Sequence, residues 1–369
     1  MSQAALQWVE RIRRDVRAMH AYVVQDAQGM VKLDAMENPY SLPPALQLEL
    51  GQRLGAVALN RYPAGRINDL HDALANYAGL PEGFGLVLGN GSDELISLLA
   101  LACAIPPDAG NGFRTPVVLA PLPGFVMYAM SAQLQGLDFV GVPLTAEFEL
   151  DEAAMLAAIA EHCPAITYLA YPNNPTANLW DDAVMGRIVE AVGAQGGLVV
   201  IDEAYQPFAE RSYHARLGQH RHVLLLRTLS KFGLAGVRLG YLIGPTTITA
   251  EIDKVRPPYN ISVLNCEAAL FALEHQNVFE AQAQDVCAQR ALIFEALAKL
   301  PEVCAFPSDA NMLLVRVPDA QKTFDGMVAR GVLVKNVSKM HPLLSQCLRL
   351  TVGTDGENRL MLTALEASL

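Results

Sequence analysis

The sequence predicts an α/β protein: a large three-layer domain around a mostly parallel sheet, followed by a smaller α+β domain. Three observations carry this. Short apolar runs that do not alternate in polarity recur between longer helical patterns, as strands do when buried on both faces by helices. The pattern changes at Pro257-Pro258, after which a long helical stretch leads to further strands and helices. At 369 residues the chain exceeds one typical domain. The expected division is an N-terminal helix and arm over 1–42, a large domain over 43–262 and a small domain over 263–369.

Taken in order, Trp8, Val9, Ile12 and Val16 alternate with Arg11, Arg13, Arg14 and Arg17 at near-helical spacing, which predicts a short amphipathic helix with a solvated basic face. The stretch from Tyr22 to Pro44 is rich in turn residues and reads as an extended arm without regular structure. Helical patterns follow at 43–56 and 66–78. Phe84 to Gly89 reads as a strand, turning through glycines into a helix that opens on Ser92 or Asp93. Apolar strands are expected at Val117–Leu119, Ala165–Ala170, Leu198–Ile201, Val223–Leu226 and Tyr241–Ile243. A helical stretch over 262–298, broken at least once, connects to strands at Asn311–Val317, Gly331–Val334 and Cys347–Val352.

Composition narrows the function. Hydrophobic residues make up 52% and charged residues 18%, the balance of a globular enzyme. A net charge of −11 argues against nucleic-acid binding, which needs a concentrated basic face. No apolar run reaches the ~18 residues of a membrane span, so no membrane association is expected. Six scattered cysteines without a C-x-x-C pair read as reduced thiols, and the charged N-terminus lacks a secretory signal's apolar stretch; a cytoplasmic protein is expected.

Four polar features fall at strand ends, where open α/β sheets bind ligands. Asp202 ends an apolar strand; it resembles the metal-binding acid of a nucleotide hydrolase, but the chain has no Gly-Lys dipeptide to complete a phosphate loop. A cap on the following turn is its simpler reading. Gly89-Asn90-Gly91-Ser92-Asp93-Glu94 fails as a dinucleotide fingerprint and fits either a helix cap or an anion site. Pro172-Asn173-Asn174-Pro175-Thr176 is an ordinary polar turn when taken alone. Lys231 follows an apolar strand within Ser230-Lys231-Phe232-Gly233, an unusual place for a charged amine, and Arg238 lies seven residues on. Taken together, these features suit pyridoxal phosphate: an amine for a Schiff base, a carboxylate for the ring nitrogen, and a helix N-terminus with an arginine for the phosphate. Nucleophile-elbow, zinc-protease and cysteine-cluster motifs are lacking, and no metal is expected.

The residues also resemble the class I/II pyridoxal-phosphate aminotransferases of fold type I, and within them the branch acting on histidinol phosphate. The markers span nearly the whole chain: Met36 to Pro39, Arg61-Tyr62-Pro63, Gly89 to Glu94, Pro123 to Tyr128, Pro172 to Thr176, Asp202 to Tyr205, Arg227 to Arg238, Pro258 to Asn260, Ala310-Asn311 and Leu348 to Gly353. The resemblance implies transamination between L-histidinol phosphate with 2-oxoglutarate and imidazole-acetol phosphate with L-glutamate, by a ping-pong route through Lys231. It implies that Asp202 keeps the ring nitrogen protonated, that Asn174 and Tyr205 bond the phenolic oxygen, and that Phe125 stacks on the ring. Gly91, Ser92, Asp93, Thr228, Ser230 and Arg238 would hold the phosphate, joined by Tyr62 from the other subunit of a homodimer. Tyr22, Asn38, Lys335 and Arg349 would bind substrate. An aromatic or broad-specificity aminotransferase and a threonine-phosphate decarboxylase-like lyase are the alternatives. Three departures stand out: Lys335 where an arginine is frequent, a Lys231 to Arg238 interval one residue shorter than in many relatives, and Ala177 where glycine is usual, which implies strain if the glycine conformation is kept.

Overall fold

The computed structural model describes residues 8–19, 21, 25–104 and 114–369. The arm is not wholly irregular, as the sequence suggested. Val31–Lys32 (β1) pairs in parallel with a strand near the other end of the chain, Val332–Leu333 (β11). Near the N-terminus, Arg14–Ala18 is helical, and its residues are exposed or half-buried. There Arg13 donates to the carbonyls of Leu134 (2.6 Å) and Gln133 (3.1 Å), besides pairing with Asp15.

The large sheet has seven strands: β2 (Phe84–Gly89), β3 (Val117–Leu122), β4 (Asp138–Pro143), β5 (Ile166–Ala170), β6 (Leu198–Asp202), β7 (Val223–Thr228) and β8 (Gly240–Pro245), in the order β2-β8-β7-β6-β5-β3-β4. Only β8 runs against its neighbours. Successive residues feed opposite faces, and both faces are covered. Leu169, Ile201, Leu225 and Ile243 pack in one core, whereas Tyr168, Val200, Leu224 and Leu242 pack in another. That two-sided burial explains the unbroken apolar runs.

The helical stretch after Pro258 is two helices, Val263–Glu274 and Gln276–Leu297, divided at His275. The first is capped by Ser262, whose hydroxyl accepts from Asn265 N at 3.2 Å; it buries Cys266, Ala269 and Leu270 in the core that holds Leu70 and Leu74. The second helix leads to an antiparallel sheet of β9 (Cys304–Ala305), β10 (Met312–Arg316), β12 (Lys335–Asn336) and β13 (Cys347–Thr351) in the order β12-β13-β10-β9. Its core gathers Leu313, Val315, Leu348 and Leu350 with Val286 and Ile293.

Ala177 has φ 66° and is fully buried, so the left-handed backbone inferred from the missing glycine is present. An L residue gives up roughly 1 kcal/mol there, and a buried methyl returns about 0.8 kcal/mol, which is how the position tolerates alanine.

Candidate active site

The ends of β6, β7 and β5 and the turn after β2 open onto one cleft, walled by Ser92, Asp93, Phe125, Asn174, Asp202, Tyr205, Thr228, Ser230, Lys231 and Arg238. At one end the helix Ser92–Cys103 begins at Gly91, whose φ of 81° suits glycine. A Cβ on Gly91 would lie 2.5 Å from the Arg238 guanidinium, and one on Gly240 would lie 2.7 Å from Ser92 N. Both glycines therefore let strand, helix start and arginine close on one another. Two short turns, Ser230–Leu234 and Ala235–Val237, bring Arg238 back; Gly233 (φ 140°) and Arg238 (φ 54°) take up the reversal that the short interval requires. The arginine donates to Ser230 Oγ (3.2 Å) and Asp93 Oδ2 (3.3 Å), and the hydroxyls of Thr228 and Ser230 lie 3.0 Å apart. Amides at a helix N-terminus, two hydroxyls and a guanidinium form an anion cradle.

In the middle of the cleft, buried Asp202 accepts from the Tyr128 hydroxyl (2.6 Å) and from Ala204 N (3.0 Å). Burial raises its carboxyl to about 6, against those two donors, with Asp93 and Glu203 adding to the rise. Behind it, buried Glu203 is held by Arg227 (2.8 Å), Tyr213 N (2.6 Å) and Ser212 (2.9 Å), which anchors the end of β6.

Lys231 Nζ donates to Ala35 O (3.0 Å) and lies 5.9 Å from the Tyr205 ring centre. Its pKa is lowered to about 8, first by burial and then by the Arg349 and Arg238 charges, with Glu37 and Asp93 opposing. Asn174 bridges the cleft: its Nδ2 donates to Tyr205 Oη (3.1 Å) and its Oδ1 accepts from Arg349 (2.8 Å). Tyr205 is buried and its hydroxyl is pushed well above the usual range, so it stays protonated. Arg349, also buried, donates to Asp34 O at 2.7 Å.

Four residues expected at the site lie elsewhere or cannot be placed. Asn38 donates to Phe232 O (3.3 Å) and Gln282 Oε1 (3.0 Å), bracing the turn beside Lys231 instead of lining the cleft. Lys335 lines a separate depression with Gln25, Gln321 and Lys339. Tyr62 is 72% exposed and stacks on Tyr259 at 4.2 Å. Tyr22 lies outside the described residues. Two further cleft residues fall within the sequence markers, yet the sequence assigned them no role at the site. Met36, with φ 53°, lines the cleft while its N donates to Thr351 Oγ1 (3.2 Å) and its O accepts from Asn311 (3.0 Å). Tyr128 is the other; its spacing of three from Phe125 at a helix start was the available signal.

Fold and cleft together define an α/β enzyme built to hold an anionic ligand against a lysine amine. The chain belongs to the aminotransferase class I and II family, whose model matches residues 28–365. It is 72% identical over 358 residues to a histidinol-phosphate aminotransferase of Polaromonas naphthalenivorans, covering 97% of this chain and 96% of that one. It is 67% identical to one of Methylibium petroleiphilum, covering 97% and 94%. The fold is that of the histidinol-phosphate aminotransferase of Sinorhizobium meliloti solved in complex with pyridoxal-5'-phosphate, at a TM-score of 0.80 and 24% identity over 96% of each chain.

Proposed function

We propose that this chain interconverts L-histidinol phosphate and 2-oxoglutarate with imidazole-acetol phosphate and L-glutamate, using pyridoxal phosphate. The observation that carries this reading is the meeting, in one cleft, of Lys231, Asp202 and the anion cradle. The substrate follows the relatives at 67% and 72% identity rather than the lyase or broad-specificity alternatives.

The residues fit the cofactor. Gly91, Ser92, Asp93, Thr228, Ser230 and Arg238 would hold its phosphate, Asp202 its ring nitrogen, Asn174 and Tyr205 its phenolic oxygen, and Phe125 a ring face. When bound, pyridoxal phosphate supplies a carbonyl to receive the amino group and a protonated ring that withdraws electrons from the substrate carbon. Lys231 Nζ is the base that takes the proton from that carbon and the acid that returns it, a role suited to an amine held near neutral pH. Asp202 supplies the fixed negative charge that keeps the ring proton in place. Arg349 would grip the substrate phosphate in one half-reaction and a glutamate carboxylate in the other. A substrate role for Tyr22, Asn38 and Lys335 rests on the sequence resemblance alone, since Asn38 and Lys335 do not line this cleft and Tyr22 lies outside the described residues.

The exposed Tyr62–Tyr259 stack, together with the exposure of Leu59 and Leu264, supports a homodimer in which Tyr62 serves the partner's phosphate cradle. Sedimentation is expected to give the mass of two chains; a fully active monomer would remove that role. We keep the division into 1–42, 43–262 and 263–369, with Val263–Glu274 bridging the last two by packing on Ala64–Ala78. A cytoplasmic location is supported by six free cysteines. Among the described residues, no helix is long and apolar enough to cross a membrane.

Two measurements test the reading. With single amino donors, histidinol phosphate is expected to bleach the cofactor absorbance far faster than phenylalanine or tyrosine; equal rates would sink the specificity. Cofactor uptake by the stripped protein needs neutral Lys231, so its rate is expected to climb as pH rises from 7 through about 8 and then level off. A rate flat across that window would remove Lys231 as the attacking amine.

A further inference from the structure

We propose that Tyr128 is a positioning residue for this site, holding the carboxylate of Asp202 and the ring of Phe125 in fixed relation so that the edge and one face of the same bound ring are engaged together. The proposal rests on the reading that the cleft takes pyridoxal phosphate.

Tyr128 is fixed on three sides. One face of its ring stacks on Tyr168 at 4.2 Å and 6°. Phe125 meets it edge-on at 5.7 Å and 85°. Its hydroxyl reaches Asp202 Oδ2 at 2.6 Å. Phenylalanine would fill the same stack, so packing explains the ring but not the hydroxyl. With Ala204 N on Oδ1 and Tyr128 on Oδ2, each carboxylate oxygen has its own donor, and the group cannot swing about its Cβ–Cγ bond without breaking one. Tyr128 sits in the helix Met127–Gln135, directly after Phe125, whereas Tyr168 sits on β5, beside the strand that carries Asp202. The tyrosine thus ties the loop that presents the stacking ring to the strand that presents the carboxylate.

The electrostatics agree. Tyr128 is buried and held above its usual range, so it remains a donor at neutral pH. Of the other groups facing Asp202, Asp93 and Glu203 oppose its ionisation, and Glu203 is itself paired with Arg227. Tyr168 and Tyr205 are raised and neutral. The Tyr128 hydroxyl and the Ala204 amide are what favour the charged form. Removing the hydroxyl therefore moves the Asp202 pKa up and weakens the grip on a protonated ring.

The test is the dissociation constant of pyridoxal phosphate from the full-length chain between pH 5 and 9, by equilibrium dialysis, for wild type and Tyr128→Phe. Wild-type affinity is expected to fall as pH drops through about 6. Tyr128→Phe is expected to bind about twofold more weakly at pH 7 and about tenfold more weakly at pH 5, with the fall starting about one pH unit higher. In an Asp202→Asn background, Tyr128→Phe is expected to change the constant at pH 5 less than about twofold, since there is no carboxylate to ionise. Wild-type affinity in Tyr128→Phe, a uniform loss with an unmoved break, or a further tenfold loss on top of Asp202→Asn would each overturn the proposal. If the wild type shows no saturable binding, the cofactor reading itself fails and this proposal falls with it.

Discussion

Lys231→Ala is expected to lower turnover by about 10⁴-fold or more, because one amine both attaches the cofactor and moves the proton. The proton role alone is worth about 10² to 10⁴, and covalent attachment adds to it. Steady-state assays with histidinol phosphate and 2-oxoglutarate check the size, and methylamine is expected to restore part of the rate by replacing the missing base. Activity above about a tenth of wild type would move the chemistry to another residue. Stability is expected to move the other way. Lys231 holds its proton less tightly in the fold, with a pKa of about 8 against 10.5 for an ordinary lysine. At pH 7 it is charged in both states, so the fold carries the cost of the charge; that cost fades as pH rises from 8 to 10.5. With cofactor stripped from both proteins, the melting temperature of Lys231→Ala at pH 7 is expected to match or exceed that of wild type.

Asp202→Asn is expected to cost about 10³-fold in kcat with little change in KM, as befits a fixed charge that matters most when negative charge develops on the substrate carbon. Single-turnover half-reactions with histidinol phosphate separate the two constants. The amide keeps the shape but its single oxygen can accept from only one of Tyr128 and Ala204 N, so a loss seen mainly in KM would point to misplacement of the ring and not to lost charge. In the cofactor-free chain the same change removes a carboxyl whose folded pKa is raised from 3.8 to about 6. Wild type is penalised above that window, and the variant is not.

Most of the large sheet was legible in the sequence because burial on both faces leaves unbroken apolar runs. What that signal lacks is direction: Tyr241 to Ile243 reads like its neighbours, and nothing in it marks β8 as the strand that runs backwards. The run Asp138-Phe139-Val140-Gly141-Val142-Pro143 escaped notice because an edge strand is only partly buried and this one carries glycine and proline. β1 is two residues long, too short for any periodicity, whereas its partner β11 falls within the strand expected at Gly331–Val334. In the cleft, Lys231, Asp202 and Arg238 were conspicuous since a charged group beside an apolar strand needs a reason. Tyr128 was not, because a tyrosine on a helix looks like core and its partner lies 74 residues away. Asn38 was placed at the substrate by resemblance, whereas here its amide is committed to Phe232 and Gln282.

The three successive carbonyls of Asp34, Ala35 and Met36 accept from Arg349, Lys231 and Asn311, and Met36 N donates to Thr351. In chain order this segment precedes all of its partners, which run from Lys231 to Thr351. The seven-stranded sheet can be complete by residue 245, yet the segment has no full set of partners until residue 351 has been added. The wall of the cleft facing Lys231 is therefore completed long after the sheet, and a chain stopped before residue 349 would present the lysine without the arginine that faces it.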